Sequence, residues 1–186
     1  MISTEIQGIK LNLHTLNSLF SPNNIDLGTL SMISCVNVSK DDFILDLGCG
    51  YGIVGIYFAK IIGDKNVVMS DIDPKAIEIS KKNIIENGVP NIKVVESDGF
   101  SNIDDTNFTM ILSNPPYHSD FKLPKHFIEK GFNRLKINGR MYMVTKRKDW
   151  YKNKFISIFG GVTIKEINGY YIFIAEKRKN EYNKTR

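Results

Sequence analysis

Three glycines at alternate positions, in Asp46-Leu47-Gly48-Cys49-Gly50-Tyr51-Gly52, constrain this chain more than any other feature. They follow an apolar run, residues 43–47, and lead into residues 52–61, whose apolar spacing is helical. Backbone that turns from strand to helix through glycines can adopt positive φ and can pass close beneath a ligand without Cβ collisions. The chain must therefore contain a βα unit with a tight, ligand-facing turn at its join.

The same alternation continues downstream. Strands are expected at residues 66–70, 92–96, 108–113 and 139–145, with helices at 74–87, 122–135 and 150–159 between or after them. Pro74 opens one helix and Asn87-Gly88 closes it. Asn138-Gly139 reads as a turn before the fifth strand. Residues 162–167 and 170–175 flank Asn168-Gly169, whose positive φ angles suit a type I′ hairpin. The expected fold is α/β: a mostly parallel sheet that ends in an antiparallel hairpin, with helices on both faces. No repeat or linker divides the chain, so 1–186 reads as one domain. A flap and a helix near 27–36 occupy residues 1–40, the core spans 41–176, and 177–186 is a basic tail expected to fray.

A chain of 186 residues with 42% hydrophobic side chains can bury a sizeable core. Neither a signal peptide nor a membrane span is expected, because the longest apolar run, 53–62, is broken by Lys60. The two cysteines, Cys35 and Cys49, have no metal-ligand spacing and form no disulfide framework. A cytoplasmic, metal-free monomer is the expectation. Charge is uneven: residues 1–105 carry 8 Lys+Arg against 14 Asp+Glu, whereas 106–186 carry 17 against 6. Such a basic second half suits a polyanionic partner such as RNA, although a lysine-rich solvated surface would look the same.

Two ligands compete for the glycine turn. Gly50-x-Gly52-x-x-Gly55 satisfies a dinucleotide fingerprint, with Asp71 near the expected acidic position. A dinucleotide fold, however, runs its strand directly into the first glycine, and here Gly48 and Cys49 intervene. Asp46 at the strand end can face an ammonium or order the loop; S-adenosylmethionine has an ammonium and NAD does not. Further strand ends supply further contacts. Asp71 can accept ribose hydroxyls, Ile72 can lie against adenine, and Asp98 can accept adenine amino hydrogens, with Gly99 or Phe100 covering the ring. Asp73 reads as the N-cap of the next helix.

Asn114-Pro115-Pro116-Tyr117, directly after the fourth strand, carries the chemistry. An exocyclic amine on a base is a poor nucleophile, because its lone pair is delocalised into the ring. The Asn114 side-chain oxygen and the Pro115 carbonyl can hold its two N–H groups and let the nitrogen aim at a methyl group. Neither proline presents a competing N–H, both fix φ, and Tyr117 offers a face for a flipped base. Transfer from a sulfonium needs positioning more than acid–base help. A diproline turn that merely ends a strand is the bland alternative. His118 and Asp120 lie next to the corner, and Lys146-Arg147-Lys148 with Trp150-Tyr151 mixes charge and aromatics as nucleic-acid surfaces do.

Together these residues resemble the class I S-adenosylmethionine-dependent methyltransferases, in the small-domain group typified by the ribosomal RNA guanine-N2 methyltransferase C. The resemblance implies a Rossmann-like fold of seven strands, the last inserted antiparallel. It assigns residues 46–52, 70–73 and 97–100 to S-adenosylmethionine and residues 114–117 to the target amine. Leu19-Phe20-Ser21 with Asp26-Leu27-Gly28-Thr29 is similar to the family's N-terminal flap, which implies minor cofactor roles for Phe20 and Thr29. The implied substrate is guanine N2 of 16S ribosomal RNA. The same four-residue corner also serves adenine N6, cytosine N4 and protein glutamine methylation, and a non-catalytic RNA-binding module of this fold is a further alternative. The segment 145–151 departs from the family's glycine-containing pattern.

Overall fold

The computed structural model describes residues 1–16, 24–116 and 120–182. The chain opens with strands β1 (Ile2–Ile6) and β2 (Ile9–Leu13) and helix α1 (Leu27–Ile33). Strand β3 (Ile44–Leu47), helix α2 (Ile53–Ile62), strand β4 (Val67–Asp71), helix α3 (Pro74–Glu86) and strand β5 (Lys93–Glu96) follow. Then come β6 (Phe108–Ser113), α4 (Lys122–Arg134), β7 (Leu135–Thr145), α5 (Asp149–Phe159), β8 (Thr163–Ile167) and β9 (Tyr170–Glu176). The seven-stranded sheet has the order β5-β4-β3-β6-β7-β9-β8, and β1-β2 form a separate ribbon. Strands are parallel in the β3–β4, β4–β5 and β6–β7 pairs and antiparallel in β7–β9 and β8–β9, which is the Rossmann-like arrangement expected.

Two compact units divide the chain: Met1–Asp26 with Asn37–Ile103, and Leu27–Val36 with Asp104–Arg186. In the first unit every residue of β3 is buried, as a strand covered on both faces requires. The β1–β2 hairpin turns at Gln7 and Gly8, with φ of 47° and 83°. It is fastened to α3 by an unusual device. Asn87 accepts the Asn12 N–H at 3.0 Å and donates to the Asn12 carbonyl at 2.7 Å. Asn83 does the same for His14, at 2.7 and 2.9 Å. Two amides one helical turn apart thus imitate the edge of a β-strand. Asn83 also donates to the Tyr51 carbonyl at 2.8 Å, so it ties the glycine turn to the same helix.

The second unit is built on β6, all six residues of which are buried. On α5, Tyr151 and Phe155 stack against Phe173 of β9, each with ring centroids 5.6 Å apart. Such pairs contribute about 0.5–1.5 kcal/mol each beyond the area they bury. Asn168 and Gly169 take φ of 54° and 75°, as the hairpin reading anticipated. Two expectations are corrected. Asn138-Gly139 is no turn between elements but a bulge inside β7, which begins at Leu135: Asn138 takes φ of 67°, and both residues face Lys177, through Asn138 N–H to the Lys177 carbonyl at 2.8 Å and Lys177 N–H to the Gly139 carbonyl at 2.9 Å. A Cβ on Gly139 would lie 2.8 Å from the Phe108 carbonyl, which is why glycine stands there. The tail is also not frayed at its start. Lys177 is buried and donates through Nζ to the Leu135 carbonyl at 2.8 Å, and Tyr182 packs edge-on against Phe132 and donates to the Glu129 carbonyl at 2.9 Å.

Candidate functional site

The glycine turn in the first unit is shaped by hydrogen bonds that start from its own backbone. Gly48 and Cys49 both donate to the Ser70 carbonyl at 2.8 Å, and Gly50 donates to the Asp71 carboxylate at 2.8 Å. Gly48, Gly50 and Gly52 take φ of 75°, 56° and 94°, a region that L side chains adopt with strain. The glycines divide into two kinds. A Cβ on Gly52 would sit 2.7 Å from Met69, and one on Gly55 2.4 Å, so these two permit close packing of helix on strand. A Cβ on Gly48 or Gly50 would point into open space.

Asp46, 3% exposed, accepts the Gly55 N–H at 2.8 Å. Its carboxylate therefore orders the turn by satisfying a first-turn amide of α2. Burial pushes its pKa up to about 7; the Gly55 hydrogen bond opposes that rise and nearby Asp71 adds to it. The Cys49 thiol is buried, and desolvation followed by the charges of Asp46 and Asp71 drives its pKa upward, which fits a packing residue and not a nucleophile.

Asp71 closes β4 with each carboxylate oxygen already accepting one backbone N–H, from Gly50 and, at 3.0 Å, from Asp73. Ile72 is 62% exposed, an unusual position for isoleucine. Asp73 caps α3 through the Lys75 N–H at 2.9 Å, with Pro74 in the first turn, as read from the sequence. After β5, Asp98 is exposed, Gly99 takes φ of 55°, and Phe100 is buried at 4% exposure. Asp46, Gly48, Gly50, Gly52, Asp71 and Ile72 thus share one pair of strand ends. Phe20, with Leu19 and Ser21, lies outside the described residues.

In the second unit, β6 delivers Asn114, half-buried, and then buried Pro115 and exposed Pro116. Tyr117 and His118 lie outside the described residues. Asn114 Nδ2 donates to Thr29 Oγ1 at 2.9 Å, across 85 positions of sequence. Around the C-terminal end of β7, three consecutive cations each lie over a ring: Lys146 over Tyr170 at 4.9 Å, Arg147 over Phe121 at 5.0 Å and Lys148 over Tyr171 at 5.3 Å. Phe121 also stacks on Trp150, with centroids 4.4 Å apart and planes at 14°. Lys146, Arg147, Lys148 and Trp150 therefore form an aromatic and cationic surface, whereas Tyr151, expected to share it, is buried at 1% exposure against Phe173.

Sequence reasoning missed Asn83 and Asn87, whose helical i, i+4 spacing reads equally well as a solvated face. It also missed the partnership of Thr29 with Asn114. Among the described residues no cluster of three or more His, Cys, Asp or Glu could hold a metal ion, and no helix is long and apolar enough to cross a membrane.

A family model described as methyltransferase small domain matches residues 10–174. The uncharacterized protein YbxB of Bacillus subtilis (strain 168) is 33% identical over 167 residues, 87% of this chain and 83% of YbxB. The 16S rRNA N2 G1207 methyltransferase RsmC of T. thermophilus, solved with AdoMet and guanosine, matches with a TM-score of 0.84 at 23% identity, covering 95% of this chain and 50% of RsmC. An RNA methyltransferase from Salinibacter ruber, solved with S-adenosyl-L-homocysteine, matches with a TM-score of 0.62 at 19% identity, covering 84% and 94%. This chain thus spans half the length of RsmC, and the two structural likenesses carry the fold.

Proposed function

The chain belongs to the methyltransferase small-domain family, and on that premise we propose that it methylates an exocyclic amino nitrogen of RNA, guanine N2 of 16S ribosomal RNA in particular, with S-adenosylmethionine as donor. S-adenosylmethionine supplies a methyl group already activated on a sulfonium, so the work of the chain is to seat the donor and aim the acceptor.

The residues present fit that donor. The open space above Gly48 and Gly50 leaves backbone bare where a ligand can lie against it. Each Asp71 oxygen keeps a second lone pair for a ribose hydroxyl, and exposed Ile72 offers an apolar face to adenine. The exposed Asp98 carboxylate accepts the adenine amino group, with Gly99 and Phe100 beside it, while Asp46 and Gly52 hold the turn in shape. Phe20 and Thr29 belong to the flap that the resemblance implies.

One observation carries the acceptor half: Asn114 stands at the end of β6 with its Nδ2 committed to Thr29, which makes Oδ1 the accepting end of the amide. Oδ1 and the Pro115 carbonyl take the two N–H groups of the target amine, and Pro116 and Tyr117 complete the corner. The basic second half and the ring-backed cations at 146–148 supply phosphate contacts. The test incubates the protein with methyl-labelled S-adenosylmethionine and, separately, small ribosomal subunits, transfer RNA, DNA and release factor. Label in ribosomal RNA, assigned to N2-methylguanine by nucleoside mass spectrometry, is expected. Label confined to DNA or release factor would move the substrate, and label in none would leave a binding module.

A further inference from the structure

We propose that Thr29 is a positioning residue for the methyl-accepting corner: its hydroxyl oxygen fixes which end of the Asn114 amide faces the substrate. The inference rests on the reading that Asn114 grips the target amine. An asparagine amide has two ends of nearly equal size and opposite sense, one donating and one accepting, exchanged by a half-turn about χ2. If the donating end faced an amino group, two N–H groups would point at each other. The neighbouring prolines have no N–H to donate to the amide oxygen and so cannot hold that oxygen turned away from the substrate.

Thr29 can. Its Oγ1 accepts from Asn114 Nδ2 at 2.9 Å, and at 6% exposure it is sheltered from competing water. In a helix a threonine hydroxyl has a preceding carbonyl within reach of its own proton, which leaves its lone pairs for an incoming N–H. The helix that carries Thr29 is itself fastened. Two residues on, Ser31 donates to the Leu27 carbonyl at 2.7 Å and accepts from Asn168 Nδ2 at 3.2 Å, so α1 is tied to the turn of the C-terminal hairpin. A chain of named contacts thus runs from Asn168 through α1 to Asn114, and all of it lies within one compact unit.

The test compares Thr29→Val, which keeps the shape and deletes the acceptor, with Thr29→Ser, which restores it; Thr29→Ala is a second deletion in case valine perturbs folding. In 15N-labelled protein the Asn114 side-chain NH2 resonances are identified by their loss in Asn114→Asp. Their protection from exchange with water should persist in wild type and Thr29→Ser and collapse in Thr29→Val. With labelled S-adenosylmethionine and ribosomal RNA, Thr29→Val should lose about a hundredfold in kcat, the scale of a misaimed group. The loss in kcat should exceed any loss of donor affinity measured by calorimetry, since the cofactor role implied for Thr29 is minor, and Thr29→Ser should recover most of the rate. Equal protection of Asn114 in Thr29→Val overturns the proposal, as does a loss of donor affinity with the Asn114 resonances unmoved. If wild type labels no RNA, the functional reading fails while the resonance comparison still decides the orientation.

Discussion

The Asp46 carboxylate reaches from the end of β3 to the third residue of α2 and accepts the Gly55 N–H at 2.8 Å from a position 3% exposed to solvent. A carboxyl so buried is held in its neutral form more readily than in the unfolded chain, and its pKa rises to about 7. Its contribution to stability is therefore complete below about pH 4, the ordinary carboxylate value, and is lost as pH rises through 7. Asp46→Asn, which is neutral at every pH, should gain on wild type across that window. Chemical denaturation of both proteins at several pH values checks this, and parallel stability curves would refute it.

Gly48 and Gly55 should fail in different ways when changed to alanine. Gly55→Ala places a Cβ 2.4 Å from Met69, so it should cost about 1–3 kcal/mol or more of stability, and Met69→Ala in the same chain should recover part of that. Gly48→Ala meets open space, and its φ of 75° costs about 1–2 kcal/mol. Its larger effect should be on donor affinity. Thermal melts beside calorimetry distinguish a folding lesion from a binding one.

Asn83→Ala removes the partners of the His14 N–H, the His14 carbonyl and the Tyr51 carbonyl together. Since Asn83 is fully buried, the loss should be about 3 kcal/mol, with amide-exchange protection falling first at His14 and along β2. Asn87→Ala, which releases Asn12 and the Asn83 carbonyl, should act in the same direction.

If the ring-backed cations meet phosphates, replacing Lys146, Arg147 and Lys148 together by alanine should weaken RNA binding and reduce the slope of log K against log salt by about 2 to 3. Trp150, the single tryptophan, stacks on Phe121 and so reports the event by fluorescence. An unchanged slope would place the RNA elsewhere.

Much of this fold is legible in the sequence. The strands and helices from residue 43 onward follow from hydrophobic period and helix-end chemistry, and Asn168-Gly169 announces its hairpin because positive φ at both positions is rare elsewhere. Gln7-Gly8 performs the same turn at φ of 47° and 83°, but glutamine gives little signal of it. Asn138-Gly139 misled for the converse reason: a pair that suits turns also suits a bulge, and only the facing Lys177 distinguishes them. Asp46 could be placed at the turn by sequence, yet its choice between a ligand and Gly55 depended on burial. Thr29 and Asn114 meet across 85 positions, a separation at which periodicity carries no information.

The backbone amides of Gly48, Cys49 and Gly50 all end on Ser70 or Asp71, so these three residues are held in place before a ligand arrives. Under the proposed reaction, fresh and spent donor would meet the same rigid seat. Discrimination between them then falls to one methyl and one positive charge.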